Sequence, residues 1–193
     1  NYCTVSELNN NVVVEGKTRS GSLPPADYKL SCHLQDGSSA YTFCMCPGGY
    51  VVAASSQEGT VVTNGMSYSG RDGENANAAL LVTLKPERFP YPGPLGGMQW
   101  QEEIEAAAFR LGGGNYYAPA QKVGDFLRGR PSEEIGDVKT TYRPGVKLCD
   151  LHELFPEDIC RTLKSAIRTL DGQLQGFASE DALLTAPETR SSS

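Results

Sequence analysis

Alternation between apolar and polar residues dominates the first half of this chain and limits what it can fold into. From Tyr28 to Leu34 every second residue is apolar, and Asp36-Gly37 then supplies a hairpin turn signal. Residues 40–46 follow as the return strand. Because a period of two is typical of a strand with one buried face, the pattern predicts an antiparallel hairpin.

Further strands are predicted downstream. Residues 50–55 and 60–64 are apolar enough to form a second hairpin, and residues 79–84 form another strand. The intervening residues 65–77 are rich in Gly, Ser and Asn and are predicted to be a loop. We therefore expect an antiparallel meander over about residues 28–84.

The second half of the chain has the period of helices. Apolar residues recur at helical spacing over about residues 97–111 and 156–170, and each stretch ends at glycine. A short helix is expected over about residues 119–127. Strands that precede helices favour an α+β fold over a wound βαβ domain. Residues 28–193 are interpreted as one domain, and residues 1–27 remain unassigned.

Composition excludes several classes of protein. The net charge is −6 and no basic run occurs, which argues against a nucleic-acid partner. The longest apolar runs, such as Tyr50–Ala54 and Ala78–Val82, are far shorter than the roughly 18 residues of a membrane span. Six cysteines are too few for a disulfide scaffold, so we expect a reducing, cytoplasmic setting.

Two thiols, Cys44 and Cys46, lie two positions apart on the predicted return strand. They could supply two zinc ligands, with Cys149 or Cys160 completing the set, but no second close pair of ligands occurs and no metal is expected. A nucleophilic role needs a neighbouring base or cation, and the sequence places no histidine beside them. Structural thiols are therefore favoured.

Alternation also predicts where these thiols point. Tyr41, Phe43 and Met45 fall on one face of the strand and should be the core face, because they carry the larger apolar area. Cys44 and Cys46 are then expected to face a cleft, a second layer or solvent.

Phosphate-binding motifs are missing from the sequence. Neither G-x-x-x-x-G-K-[ST] nor G-x-G-x-x-G occurs, and Gly112–Gly114 follows a helix instead of opening one. The polar loop offers Asn, Ser and Arg side chains near the thiols, although such loops are usually solvated. Glu188–Ser193 could bind an anion, although taken alone it has the composition of a frayed tail.

Five segments, which follow one another along the chain in the same order as in a known family, resemble that family. They are Phe43–Gly49 (FCMCPGG), Val61–Ser67 (VVTNGMS), Val123–Ser132 (VGDFLRGRPS), Tyr142–Val146 (YRPGV) and Phe177–Ser193 (FASEDALLTAPETRSSS). Through them the chain resembles bacterial FAD-dependent oxidoreductases, or dehydrogenases, of the BaiN-like group.

This resemblance implies a longer flavoprotein in which one domain binds FAD and another lies on the substrate side. In that family FAD is held by a dinucleotide-binding fold whose glycine fingerprint does not occur here, so this chain is similar to the insertion, or substrate-side, domain. FAD is then expected in the parent protein and not on this chain alone, and a role of NAD(P)H is left open. The implied partners are a small-molecule substrate and the missing FAD domain.

The resemblance also implies that the chain returns toward the FAD domain near Glu188–Ser193. No catalytic residue is assigned. The residues expected near the substrate or flavin are Cys44, Cys46, Pro47, Gly48, Gly49, Asn64, Ser67, Arg71, Asn77, Arg190 and Ser191. The alternatives are a stand-alone module that binds a small molecule or a partner, and a thiol or zinc domain using Cys44 and Cys46.

Overall fold

A mixed β-sheet forms the centre of the protein in this computed structural model. The structure describes residues 2–9 and 30–189. For residues 2–9 and for Phe43 and Cys44 it describes only the backbone. Within the described residues the sheet has seven strands, in the order β2-β3-β6-β1-β9-β7-β8. They are β1 (Tyr2–Asn9), β2 (Leu30–His33), β3 (Ser39–Cys46), β6 (Asn75–Val82), β7 (Ala118–Lys122), β8 (Val146–Leu148) and β9 (Leu183–Glu188). A separate hairpin pairs β4 (Tyr50–Ala53) with β5 (Thr63–Met66).

The strand order differs from the predicted meander. β1 lies between β6 and β9 and pairs antiparallel with both of them. β7 and β8 form a parallel pair at one edge of the sheet. The central strands thus include Tyr2–Asn9, where no element is predicted, and Leu183–Glu188, in a tail that shows no clear period.

Two helices lie where the apolar spacing predicts them, and the α+β class is confirmed. They are α1 (Gly96–Leu111) and α3 (Glu157–Asp171). The predicted stripe of α3 is buried, Leu163 being 2% exposed, and α3 packs on β2, β3 and β6. α1 packs against β7 and β9 and buries Ile104. No helix among the described residues is both long and apolar enough to cross a membrane.

The predicted helix over residues 119–127 is wrong in its first half. Ala118–Lys122 forms β7, and only Val123–Arg128 is helical (α2). The small residues Ala118 and Ala120 are fully buried in this strand, which β9 and β8 flank on its two sides. Gly129, with φ of +71°, ends α2 in the left-handed conformation.

Strict alternation along the thiol-bearing strand is also wrong. Phe43 lies opposite Ala79 on β6, whereas Cys46 lies opposite Asn77, so one extra residue is accommodated between them. Such a β-bulge switches the face to which later residues point. Thr42, expected on the thiol face, is accordingly buried together with Met45, while Cys46 is half-buried.

Candidate functional site

The β4–β5 hairpin crosses the large sheet. Its second strand, β5, contacts β3, β6, β1 and β9, which are adjacent in the sheet. Thr63 Oγ1 donates to the carbonyl oxygen of Pro187 at 3.0 Å, and the Val61 amide donates to the Glu105 carbonyl oxygen at 3.1 Å. The Val51 amide donates to Thr141 Oγ1 at 2.8 Å. The hairpin is therefore fixed to three separate parts of the chain.

The predicted loop at residues 65–77 is shorter than expected. Gly65 and Met66 belong to β5, and Asn75–Asn77 begin β6. We call Gly48, Gly49, Gly65, Arg71 and Asn77 the glycine cluster, because the three glycines pack directly on the other two residues. A Cβ atom on Gly48 would lie 2.1 Å from the carbonyl oxygen of Arg71. On Gly49 and Gly65 it would lie 2.7 Å and 2.0 Å from the amide atoms of Asn77.

Asn77 is the innermost polar side chain of the glycine cluster. It is fully buried on β6, and neither its Oδ1 nor its Nδ2 has a hydrogen-bond partner among the described residues. Asn75, two residues earlier on the strand, donates its Nδ2 to the Lys139 carbonyl oxygen at 2.7 Å. A buried amide without a partner costs roughly 1–3 kcal/mol, so the state of Asn77 calls for an explanation.

Arg71 carries a second unpaired group. Its Nη1 atom is buried, and no group among the described residues accepts a hydrogen bond from it. Its backbone has φ of +47°, a left-handed conformation that is uncommon for arginine. The Arg71 amide donates to the Tyr68 carbonyl oxygen at 3.0 Å, which fixes the loop.

Half-exposed residues form a rim beside the glycine cluster. Tyr68 is 61% exposed, and its ring packs edge-on against Tyr50 with centroids 5.4 Å apart. Pro47, Asn64 and Ser67 are half-buried. Most of the residues expected near the ligand, from Cys46 to Asn77, thus lie on or beside one turn and one hairpin.

For three of the expected residues, Cys44, Arg190 and Ser191, the structure describes no side chain. Cys44 lies in β3, but its side chain is outside the described residues, and so are Arg190 and Ser191. Thr189, which precedes them, is buried, and its hydroxyl donates to the Glu105 carboxylate of α1. No local sequence pattern predicts this pair, since the two residues are 84 positions apart.

A charged network lies in the segment 123–132. Asp125 is 4% exposed and accepts hydrogen bonds from Ser132 Oγ and Arg130 Nε, each at 2.8 Å, and from Arg128 at 3.3 Å. Burial alone would raise the pKa of Asp125, but these hydrogen bonds outweigh it and lower the pKa. Because Ser132 Oγ in turn accepts from the Lys122 amide at 2.9 Å, the network fastens this segment to β7.

The thiols differ in their surroundings. Burial raises the pKa of Cys149 and of Cys160 to about 11 in each case, and raises that of Cys32 as well. Cys46 is only half-buried, at the edge of the glycine cluster. The described residues contain no group of three or more His, Cys, Asp or Glu side chains that could hold a metal ion.

We expect Cys46 to react with N-ethylmaleimide before Cys32, Cys149 and Cys160. A thiol with a pKa of about 11 is only about 0.1% thiolate at pH 8, and burial shields it further. Timed labelling followed by peptide mapping measures the order, with the protein in urea as the control for intrinsic reactivity. Labelling of Cys149 at the rate of Cys46 would contradict the burial seen here.

The chain forms an α+β domain, and in its glycine cluster the buried polar atoms of Asn77 and Arg71 Nη1 have no hydrogen-bond partner among the described residues. The chain belongs to the family described as FAD-dependent protein, C-terminal domain-like, which it matches over residues 6–191. It is 48% identical over 171 residues to an uncharacterized protein from Clostridium beijerinckii. The match covers 88% of this chain and 32% of that protein, so the chain spans about a third of its relative's length.

The family name points to FAD, and the glycine cluster is the part of this chain that could be expected to bind the FAD pyrophosphate. A pyrophosphate needs glycines that leave open space before a helix N-terminus. In the glycine cluster the space beside each glycine is filled by this chain's own atoms: the Arg71 carbonyl group beside Gly48 and the Asn77 amide beside Gly49 and Gly65. The cluster therefore does not fit the pyrophosphate of FAD.

Proposed function

We propose that this domain is the substrate-side domain of an FAD-dependent oxidoreductase, a dehydrogenase of the BaiN-like group. In this proposal FAD is held by another part of the same polypeptide, and NAD(P)H is given no role. Membership of the FAD-dependent family supports the assignment of FAD as the cofactor. Because this chain matches only about a third of its relative's length, the rest of such a protein is long enough to contain a flavin domain.

The observation that carries the proposal is the unpaired Nη1 atom of Arg71, which no group among the described residues meets. Native proteins pair nearly all buried polar groups, and exceptions cluster at functional sites. Here Asn77 and Arg71 lie against the consecutive residues Gly49 and Gly48. A ligand held between this face and the flavin domain would supply the missing partner of Arg71, whereas Asn77 lies fully buried beneath Gly49 and Gly65.

The segment that leads to Arg190 and Ser191 supports the same arrangement. Thr63 of the hairpin holds Pro187, and Glu105 of α1 holds Thr189. The residues just before Arg190 are therefore fixed beside the hairpin that carries the glycine cluster. We propose that Arg190 and Ser191 approach the flavin or the substrate from there.

Within the parent protein the domain would shape the substrate pocket and exclude water from it. The proposed partners are the flavin domain and a small-molecule substrate, with no nucleic acid and no membrane. The proposed location is the cytoplasm, as the cysteine content suggests. Cys46 is assigned no redox role in the proposal.

Flavin fluorescence in the full-length protein tests this arrangement. Tyrosine rings in contact with a flavin quench its emission by electron transfer, and Tyr68 is the most exposed ring of the rim. Tyr68→Leu is expected to lengthen the fluorescence lifetime of bound FAD. Tyr117→Leu is the matched control. The Tyr117 ring is also exposed, at 40%, but it precedes β7, and two strands lie between β7 and β6, the strand that carries Asn77. An unchanged lifetime in Tyr68→Leu, with full FAD content, would count against the proposal.

A further inference from the structure

We infer that Arg71 binds a carboxylate group, so that the substrate of the flavoprotein is a carboxylic acid. This inference rests on the proposed function and adds the chemical class of the ligand. Arg71 contrasts with two arginines of the same domain, Arg128 and Arg130, which form ion pairs.

Arg128 and Arg130 are paired although they are more exposed than Arg71. The Arg128 side chain is 45% exposed and bonds to Glu180 and Asp125, and that of Arg130 is 63% exposed and bonds to Asp125. Arg71 is half-buried, yet no group in the described part of the chain accepts a hydrogen bond from its Nη1. Burying part of a guanidinium costs free energy unless an acceptor meets it, so the exception marks a place where an acceptor belongs.

The backbone around Arg71 is held on both sides. Its carbonyl group packs on Gly48, and its amide donates to the Tyr68 carbonyl oxygen. The Gly73 amide donates to the Gly48 carbonyl oxygen at 3.1 Å, which closes the loop over the turn. A charge presented from a fixed loop loses little entropy when a ligand binds, and this favours recognition.

A carboxylate fits these surroundings better than a phosphate. One planar guanidinium matches one planar carboxylate through two parallel hydrogen bonds. Asp72 and Glu74, both exposed in the same loop, would repel the second charge of a phosphate more strongly than they repel a single charge.

Calorimetric titration of the full-length flavoprotein tests the inference. The probes are benzoate, acetate and succinate, with benzamide as the neutral isostere of benzoate and inorganic phosphate as the competing anion. At least one carboxylate is expected to bind ten times more tightly than benzamide and more tightly than phosphate.

Arg71→Gly is the decisive variant, because glycine adopts φ of +47° without strain. It is expected to weaken carboxylate binding at least tenfold while its melting temperature stays the same or rises. Arg168→Gln, which removes an exposed arginine of α3, is the matched control and should bind as the wild type does.

Three results would overturn the inference: no carboxylate binds, phosphate binds more tightly than every carboxylate, or Arg71→Gly binds as tightly as wild type. The Tyr68→Leu lifetime separates this failure from that of the proposed function. If the lifetime lengthens and Arg71→Gly changes nothing, only the assignment of the carboxylate is lost. If the lifetime is unchanged while Arg71→Gly loses binding, the bound acid is not a substrate of the flavin.

Discussion

Replacing Gly48 with alanine is expected to lower the free energy of unfolding by roughly 2–5 kcal/mol. Gly48 has φ of +57°, a conformation that costs a residue with a Cβ atom about 1–2 kcal/mol. The added Cβ would also lie 2.1 Å from the carbonyl oxygen of Arg71. Such overpacking costs about 1–3 kcal/mol more, and no rotamer change relieves it because the atom it strikes belongs to the backbone.

Gly59→Ala separates these two contributions. Gly59 lies in the connection between β4 and β5 and has φ of +72°. Apart from its chain neighbours, no atom of the described residues lies within 4 Å of the position of a Cβ added there. Only the conformational cost of about 1–2 kcal/mol should therefore appear in this variant. Urea unfolding of both variants measures the difference. Equal losses would mean that the contact between Gly48 and Arg71 is looser in solution than the glycine cluster requires.

The helices could be predicted because their signal is local. The stripe of α3 repeats within one element, and its members Ile159, Leu163, Ile167 and Leu170 are all buried as the spacing requires. A helix that packs on a sheet through one face keeps a polar opposite face, and this contrast survives in the sequence. The α+β class follows from the same local contrasts.

The sheet order could not be predicted from such contrasts. Every residue of β6 and β9 is buried, so neither strand shows the alternation of a half-exposed strand. β1 pairs with β6 and β9 across separations of about 70 and 180 residues, for which no local pattern exists. The bulge between Phe43 and Cys46 likewise depends on the partner strand.

The candidate site was predictable only where turn chemistry marks it. Pro47-Gly48-Gly49 is a turn signal and forms a turn whose two glycines belong to the glycine cluster. Asn64-Gly65 is also a turn signal, but it lies within β5. The unpaired state of Asn77 is different, since it arises from the crossing of β5 over β6. A sequence names the polar residues of a loop but does not show which of them the fold leaves without a partner.

Asp125→Ala is expected to destabilise the domain by about 3 kcal/mol. The change removes the acceptor of Ser132 Oγ, whose side chain is buried, and of Arg130 Nε. Breaking a buried ion pair costs roughly 3–5 kcal/mol, and the lower end applies because Arg128 and Arg130 can turn to solvent. Glu180→Gln is the matched control, since this exposed carboxylate also pairs with Arg128. Its effect should be much smaller, and comparable losses in both variants would contradict a special role of the buried carboxylate.

The pH dependence of Asp125→Asn isolates the charge from the hydrogen bonds. Asparagine keeps an acceptor for Ser132 but carries no charge. The pKa of Asp125 is lowered in the folded state, whereas an unfolded aspartate titrates near pH ~3.9. The charge therefore stabilises the fold fully above about pH 4, and this contribution is lost as the pH falls through the lowered folded pKa. The difference in free energy of unfolding between wild type and Asp125→Asn should thus shrink below about pH 4 and stay level above it. A difference that remained constant down to about pH 2 would show that the carboxylate is not held in its charged form by Ser132, Arg130 and Arg128.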